Sequence, residues 1–172
     1  MLFRSLAFAC ESAGRYKEAV ELYEKTVEQS EFALGPNHRE TLILRNNLAY
    51  AYESAGRSED AVALYEKTLA DRHRFLGPDD IDTLASYNNL AFAYEAGGRL
   101  EEARTLYETA LAGREKVLGP EHPATVAVRQ SLAGLDRAVA DQRRRGPLRL
   151  RRGREKDMPA LTAYPGRGEL TA

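Results

Sequence analysis

The fold is decided by the stretch Leu76–Ala103, LGPDDIDTLASYNNLAFAYEAGGRLEEA, because nearly the same string, LGPNHRETLILRNNLAYAYESAGRSEDA, occupies Leu34–Ala61, 42 residues earlier. A third copy, LGPEHPATVAVRQSLAGL, begins at Leu118, and the chain opens with the back half of a copy, LAFACESAGRYKEA. A unit of this size is too small to bury its own apolar face, and it buries that face against its neighbour in a stacked array. The period therefore favours a solenoid over a single globular domain.

Each copy predicts two helices, which we name helix A and helix B. Between Thr41 and Ala55 the apolar residues recur at spacings of three and four, as on one side of an α-helix. This apolar side consists of Leu44, Leu48, Ala49, Tyr52 and Ala55. After the turn at Gly56, Ser58 and the acidic residues behind it are expected to cap helix B, which runs to about Phe75. The buried side of helix B consists of Ala61, Leu64, Tyr65, Thr68, Leu69 and Arg72.

Three landmarks keep the period in every copy that contains them. A glycine marks the turn between helices A and B, an alanine lets two helices approach closely, and a tyrosine fills the gap one turn later. These landmarks are Gly14, Gly56 and Gly98; Ala19, Ala61 and Ala103; and Tyr23, Tyr65 and Tyr107. The motif LGP ends helix B in the same way each time, so the successive rotations are alike and the array is expected to be superhelical.

The strings NNLAYAYESAGRSEDAVALYEKTLADRHRFLGP and NNLAFAYEAGGRLEEARTLYETALAGREKVLGPEHP resemble tetratricopeptide repeats, in particular the 42-residue variety of kinesin light chains. The resemblance covers about residues 1–140 and rests on paired Asn, Leu-Ala, the turn Gly, Ala, Leu-Tyr and LGP at the family's spacing. It implies an all-α fold, a right-handed superhelical solenoid of antiparallel helix pairs whose A helices line a concave groove. It also implies a scaffold that binds a peptide or a partner protein without catalysis.

The resemblance further assigns the side chains that face this groove, three on each A helix at i, i+4 and i+7. They lie on a different face from the apolar one. We name them the groove residues, and they are Arg4, Phe8 and Glu11; Asn46, Tyr50 and Glu53; Asn88, Phe92 and Glu95; and Gln130. Amides suit the backbone of an extended peptide because they donate and accept hydrogen bonds, and aromatic rings add apolar contact area. The alternative is that the asparagines only tie adjacent helices together and that the aromatic rings are partly buried.

The glutamates among the groove residues form an acidic row, Glu11, Glu53 and Glu95. Such a row favours a basic ligand or an N-terminal amine, although each glutamate taken alone is better explained by a solvated helix face. Kinesin light chains accept acidic peptides, so the ligand class of that family does not transfer to this chain. The expected partner is a protein or peptide, with basic character.

Nothing in the sequence predicts an enzyme, a cofactor or a metal site. No GxxxxGK[ST] phosphate loop occurs, and Gly97 and Gly98 are explained by the turn between two helices. The histidines, His38, His73 and His122, are too dispersed for a metal site. Cys10 is the only cysteine, which excludes an intrachain disulfide and thiolate clusters and favours a small buried side chain.

The formal net charge of −1 hides an asymmetry, because residues 137–172 contain ten Lys or Arg and four Asp or Glu, a balance of +6, which leaves −7 on residues 1–136. We assign residues 1–142 to the repeat array, with a partial first repeat, two full repeats and a terminal capping helix. Residues 143–172 are assigned to a basic tail that is expected to be disordered. The tail is interpreted as a solvated extension, as a binder of nucleic acid, or as a segment that folds back onto the acidic row. Nucleic acid is the less expected partner because the body is acidic and the tail lacks interleaved aromatics.

Two further expectations concern the start of the chain and its location. The first A helix lacks the LGP lead of later copies, which predicts a short helix and either a fragment of a longer array or an end that self-associates. No run of eighteen apolar residues occurs and MLFRSLAFAC lacks the pattern of a secretory signal, so the chain is expected to be cytoplasmic and away from membranes. The ratio of 20 Arg to 5 Lys is associated with bacterial proteins. An alternative function is the sensor or oligomerisation fragment of a bacterial signalling ATPase.

Overall fold

A computed structural model describes residues 2–145 of the chain. Within this range the backbone forms seven α-helices and no β-strand. The helices are α1 (Leu2–Ser12), α2 (Tyr16–Leu34), α3 (Arg39–Ser54), α4 (Ser58–Phe75), α5 (Ile81–Ala96), α6 (Leu100–Leu118) and α7 (Pro123–Arg145). Helix α4 has the bounds that the sequence predicts for helix B.

The helices pack in chain order, each against the next, which makes the fold a solenoid. Helices α1, α3, α5 and α7 are the A helices of successive copies, and α2, α4 and α6 are the B helices. Contacts between α3 and α5 show that these two A helices also lie side by side. The expected all-α solenoid of antiparallel helix pairs is confirmed.

The predicted alanines and tyrosines form the centre of each helix pair. The alanines Ala19, Ala61 and Ala103 are fully buried, and the exposed fraction of the tyrosines Tyr23, Tyr65 and Tyr107 does not exceed 2%. Two apolar clusters continue through these residues, one in the first two copies and one from the second copy to α7. Each cluster takes side chains from more than one copy, so neighbouring hairpins complete one another's core.

The turn between helices A and B closes onto the helix that precedes it. Gly56 has a φ of 77°, and the backbone N–H of Arg57 donates to the carbonyl of Tyr52 at 2.8 Å. This pattern fixes Arg57 as the residue before α4, and its side chain makes no capping hydrogen bond. The expected cap at Ser58 is therefore wrong, because the closed turn places Ser58 inside the first turn of the helix. Arg57 instead pairs with Asp60 at 2.7 Å, on the surface.

The connection from helix B to the next helix A uses a side-chain cap in every copy. The imidazole Nδ1 of His38 accepts from the N–H of Glu40 at 3.2 Å, and His122 does the same for Ala124. Asp80 takes this position in the middle copy and accepts from the N–H of Asp82 at 2.9 Å. Two of the three histidines are thus helix caps, a role that the sequence analysis did not find.

A recurring contact ties the B helices α2 and α4 to the hairpin that follows each of them. The phenol of Tyr94 donates to the carboxylate of Glu66 at 2.6 Å, and the guanidinium of Arg99 stacks 3.6 Å from the Tyr94 ring centroid. The equivalent contact of the preceding copy joins Tyr52, Glu24 and Arg57. Burial, followed by the neighbouring Glu24, raises the pKa of Tyr52 to about 12. In the first copy Cys10 occupies the tyrosine position and is 5% exposed, in agreement with the expected buried thiol.

The two ends of the array differ from its middle. Helix α1 has 11 residues against 16 in α3 and α5, so the first A helix is short as expected. Helix α7 has 23 residues and includes Arg143 to Arg145, the first three residues of the predicted tail. Residues 146–172, on which the remaining expectations for the tail fall, lie outside the described residues.

Two neighbouring glycines in the turn between α5 and α6, Gly97 and Gly98, provide a test of the turn geometry. Gly98 has a φ of +77°, whereas Gly97 has a φ of −80° and an added Cβ would meet the Ala93 carbonyl at an ordinary 3.4 Å. We expect Gly98→Ala to lower the free energy of unfolding by about 1–2 kcal/mol because of its left-handed backbone. Gly97→Ala is expected to leave the free energy of unfolding unchanged or to raise it by about 0.4–1 kcal/mol. Urea unfolding followed by circular dichroism measures both, and an equal effect of the two variants would contradict the turn geometry.

Candidate functional site

The aromatic groove residues are exposed, while their neighbours in sequence are buried. The exposed fractions are 51% for Tyr50 and 54% for Phe92, against 6% for Leu48 and 3% for Leu90, two residues earlier on the same helices. Helices α3 and α5 thus carry two faces, one apolar and buried and one with a large ring exposed to solvent. Exposed rings at equivalent positions of neighbouring A helices form an apolar surface that a ligand could cover.

The asparagines are partly engaged within the protein. Asn46 and Asn88 are both half-buried, and the amide nitrogen of Asn89 donates to the side-chain oxygen of Asn46 at 3.2 Å across the contact between α3 and α5. The alternative, in which Asn46 and Asn88 only tie adjacent helices together, has support at the side-chain oxygen of Asn46. The amide nitrogen of Asn46 is not used in that bond.

The two glutamates that follow these rings have different surroundings. Glu53 is half-buried, and burial raises the pKa of its carboxyl group. Glu95 accepts a hydrogen bond from the phenol of Tyr107 at 3.1 Å. Burial, followed by the charge of Glu95, raises the pKa of the Tyr107 phenol. The Tyr107 contact orients one oxygen of Glu95 toward the core and leaves the other for a different donor.

The last A helix changes the character of this surface. Gln130 is exposed on α7, and the positions equivalent to Phe92 and Glu95 hold Gly134 and Arg137. Arg137 is exposed, with its Nε donating to the carbonyl of Ala133 at 3.1 Å. Gly134 and Arg137 lie one period of 42 residues after Phe92 and Glu95, so the repeat pattern identifies both, although neither is among the groove residues assigned from the sequence. The row of side chains is therefore acidic on α3 and α5 and basic on α7.

The groove residues of the first copy are Arg4, Phe8 and Glu11. Their backbone lies in α1, but their side chains fall outside the described part of the structure. The sequence-based assignment of these three remains a prediction.

The described residues offer no group of three or more His, Cys, Asp and Glu side chains close enough to hold a metal ion. No helix among residues 2–145 is both long enough and apolar enough to span a membrane.

Comparison with protein families decides the membership of the chain. Models of the tetratricopeptide repeat match residues 1–72 and residues 83–124, which together make up more than half of the sequence. The chain belongs to the tetratricopeptide repeat family. The resemblance found in the sequence is confirmed, and the helix pairs described above are tetratricopeptide repeats in a right-handed superhelical solenoid.

Solved structures that are similar to this tetratricopeptide repeat array include kinesin light chain-like proteins. A kinesin light chain-type protein of Podosopora anserina with nearly identical TPR-like repeats is 34% identical, with a TM-score of 0.75, over 80% of this chain and 65% of that chain. BtubC (BKLC) of P. vanneervenii is 22% identical, with a TM-score of 0.65, over 98% of this chain and 70% of that chain. The first TPR of Spaghetti (RPAP3), bound to the HSP90 peptide SRMEEVD, is 21% identical, with a TM-score of 0.58, over 81% of this chain and 91% of that chain.

The last two structures share the fold with this chain at low identity. The chain spans slightly less than two thirds of the length of the first. None of the curated proteins matches the sequence at a significant level. The bacterial origin suggested by composition stays a prediction.

Burial of Glu53 gives a prediction for stability. Its folded-state pKa lies above the 4.5 of an unburied glutamate, so between the two pKa values the folded state holds more protons than the unfolded state. Stability therefore falls as the pH rises through that window and stays at the lower level at neutral pH. We expect Glu53→Gln to raise the melting temperature at pH 7, with the difference vanishing below pH 4.

The matched control is Glu28→Gln, since Glu28 is exposed on α2 and is expected to leave the melting temperature unchanged. A melting temperature of Glu53→Gln below that of the original chain at pH 7 would contradict the unfavourable burial of this carboxylate.

Proposed function

We propose that this chain is a non-enzymatic scaffold that binds an extended peptide or a segment of a partner protein along its A helices. The observation that carries the proposal is the exposure of Tyr50 and Phe92, 51% and 54%, at equivalent positions of α3 and α5. Rings at equivalent positions of two neighbouring A helices offer apolar contact area to two side chains of one extended ligand, at low entropic cost. The cytoplasm is the proposed location.

The polar groove residues define the chemistry of the partner. Asn88 and the free amide nitrogen of Asn46 suit the backbone of an extended chain, which needs donors and acceptors along its length. Glu53 and Glu95 favour a basic side chain near α3 and α5, and Arg137 favours an acidic one near α7. The proposed ligand therefore carries apolar side chains for the rings, a Lys or Arg toward the acidic part and an Asp or Glu toward α7.

The structure of the Spaghetti TPR with an HSP90 peptide supports a peptide-binding role, because the fold is shared. The sequence of that peptide is not carried over to this chain, since the identity of 21% extends to the fold alone.

Substitution of the rings tests the proposed groove. Peptides are first selected on the original chain from a library of random twelve-residue peptides, and the same clones are then measured on variants. We expect Tyr50→Ala with Phe92→Ala to weaken these peptides by at least about tenfold, or about 1.4 kcal/mol, because truncation of a central aromatic contact typically costs that much. Isothermal titration calorimetry gives the dissociation constants.

The matched control is Phe32→Ala with Phe75→Ala, two exposed rings on the B helices whose exposed fractions are 95% and 46%. This control is expected to keep full affinity. An equal loss of affinity with both pairs of variants would contradict the assignment of the groove. Selected peptides without an enrichment of Lys and Arg would contradict the expected charge preference.

Self-association through the N-terminal end is a second candidate, and a specific observation favours it. Leu6 is 49% exposed, whereas Leu48 and Leu90 at the equivalent positions are 6% and 3% exposed. Ala9 is also exposed, although its equivalents Ala51 and Ala93 are buried. The later copies bury these positions against the preceding B helix, so a second copy that covers α1 would restore the same contact.

A charge on this surface tests self-association. We expect Leu6→Lys to shift the chain from dimer to monomer in analytical ultracentrifugation, because a charge in an apolar contact is unfavourable. The control is Val117→Lys at an exposed position of α6, which is expected to leave the mass unchanged. A monomeric original chain at its highest soluble concentration would remove this candidate.

The other interpretations have less support. Arg143 of the predicted tail pairs with Glu101 of α6 at 3.4 Å, which is an exposed contact away from the groove residues. Binding of nucleic acid by the tail and folding of the tail onto the acidic row concern residues beyond 145 and stay predictions. The role as a sensor fragment of a signalling ATPase also stays a prediction.

A further inference from the structure

A half-buried arginine in the third copy has lost most of the partners that its equivalent has in the second copy. In the second copy Arg72 is 3% exposed and donates to the carbonyl of Asp82 and the hydroxyl of Ser86, both at 2.7 Å, and to the carbonyl of Leu42 at 3.1 Å. In the third copy the described hydrogen bond of Arg114 is a single donation to the carbonyl of Ala124 at 2.8 Å. Arg114 therefore keeps N–H donors without protein acceptors.

The carboxylates around this position have also been replaced. Asp80 and Asp82 lie close enough to Arg72 to favour its charged form, which partly offsets the lowering of its pKa by burial. The equivalents of these aspartates are His122 and Ala124, and burial alone lowers the pKa of Arg114. The equivalent of Ser86 is Val128, which is fully buried and cannot accept a hydrogen bond. The third copy thus keeps the cation and removes its anions.

A cavity opens beside Arg114. Its volume is about 160 Å³, and its lining is mostly apolar. It is formed by Ile81, Leu84, Arg114, Leu118, His122 and Ala124. In the second copy Arg39 stands in place of Ile81 and pairs with Asp80 at 2.6 Å, so that position carries an ion pair instead of an apolar wall.

The N-terminal ends of two helices meet at the cavity, since Ile81 begins α5 and Ala124 lies in the first turn of α7. The end of α5 already has the carboxylate of Asp80 as its cap, whereas the end of α7 is capped by the neutral acceptor of His122 and has no acidic residue in its first turn. Asp79, in the loop before α5, already pairs with Lys116 at 2.5 Å.

We propose that this cavity, which we name the Arg114 pocket, binds a carboxylate carried on a short aliphatic chain. The guanidinium of Arg114 donates to the carboxylate, and Ile81, Leu84 and Leu118 contact the aliphatic carbons. The apolar lining disfavours inorganic anions, which would lose their hydration without gaining contacts. The carboxylate has two possible sources, a free short-chain acid or the C-terminus of a peptide that ends in a small aliphatic residue. The pocket is formed at the B-to-A connection and does not include the groove residues.

Titration with defined probes tests the Arg114 pocket on the full chain. Butyrate is added at low salt while the ¹⁵N resonances of the Arg114 side chain and the Ala124 backbone are followed. We expect saturable shifts with a dissociation constant on the order of 1 mM. Butyramide, which has the same shape without the charge, and inorganic phosphate are expected to give no saturable shift. A Gly-Gly-Val peptide and its C-terminal amide distinguish the peptide source from the free acid.

Two variants and a control keep the test independent of folding. Arg114→Gln removes the charged donor, and Ala124→Asp restores the carboxylate that the second copy has at Asp82. Both variants are expected to raise the dissociation constant of butyrate at least tenfold. Ala124→Asp is also expected to raise the melting temperature, because it gives Arg114 an anion within the chain. The control Arg104→Gln removes another half-buried arginine of α6, one that pairs with Asp136 of α7, and is expected to keep full affinity. Equal binding of butyrate and butyramide, or unchanged affinity in Ala124→Asp, would overturn the proposal.

Discussion

Each helical hairpin of this chain depends on the next one for part of its core, and this dependence explains most of the architecture. The fully buried Ala61 and Ala103 allow the helices to approach, and the buried Tyr65 and Tyr107 fill the space beside them. The cluster that contains these residues continues to Leu135 of α7 without a break. Because every interface repeats the same residues, every hairpin is rotated by a similar angle, and a superhelix follows.

The same constraint separates the two faces of each A helix. The face with Leu48 or Leu90 is buried in the core, so substitution of its residues would reduce the packing. The face with Tyr50 or Phe92 does not contribute to the core in this way, since about half of each ring is exposed to solvent. Recognition can therefore change on the open face while the array stays folded, which is why this fold serves as a scaffold for different ligands.

The sequence predicts those features that depend on one copy and its period. Helix bounds, the buried Ala and Tyr landmarks and the positive φ of Gly56 and Gly98 follow from local patterns that recur three times. The exposure of Tyr50 and Phe92 follows less directly, because periodicity places them on a second face without deciding what covers it. Glu53 was predicted as an acidic groove residue, but its raised pKa depends on burial, which no local pattern reports.

Features that depend on contacts between copies were not predictable in this way. The capping roles of His38 and His122 require the loop geometry, since histidine is an uncommon cap. The bond from Asn89 to Asn46 joins residues 43 positions apart, and no pattern within one copy reports such a contact. The closed turn before α4 likewise overrides the preference of serine for a cap, because the N–H of Arg57 is already bound to Tyr52.

Comparison of equivalent positions within the chain isolates the effect of single side chains, because the repeated backbone is held nearly constant. Ser30, Arg72 and Arg114 occupy one such position, and their surroundings differ in a way that the backbone does not explain. Ser30 hydrogen-bonds to Thr41 at 2.8 Å, Arg72 finds three acceptors, and Arg114 finds one. A half-buried cation that persists after its internal partners have been replaced depends on solvent or on an external anion, and the proposed carboxylate would supply that anion. The difference between the second and third copies at this position is therefore better explained by a ligand that binds the third copy than by a change in core packing.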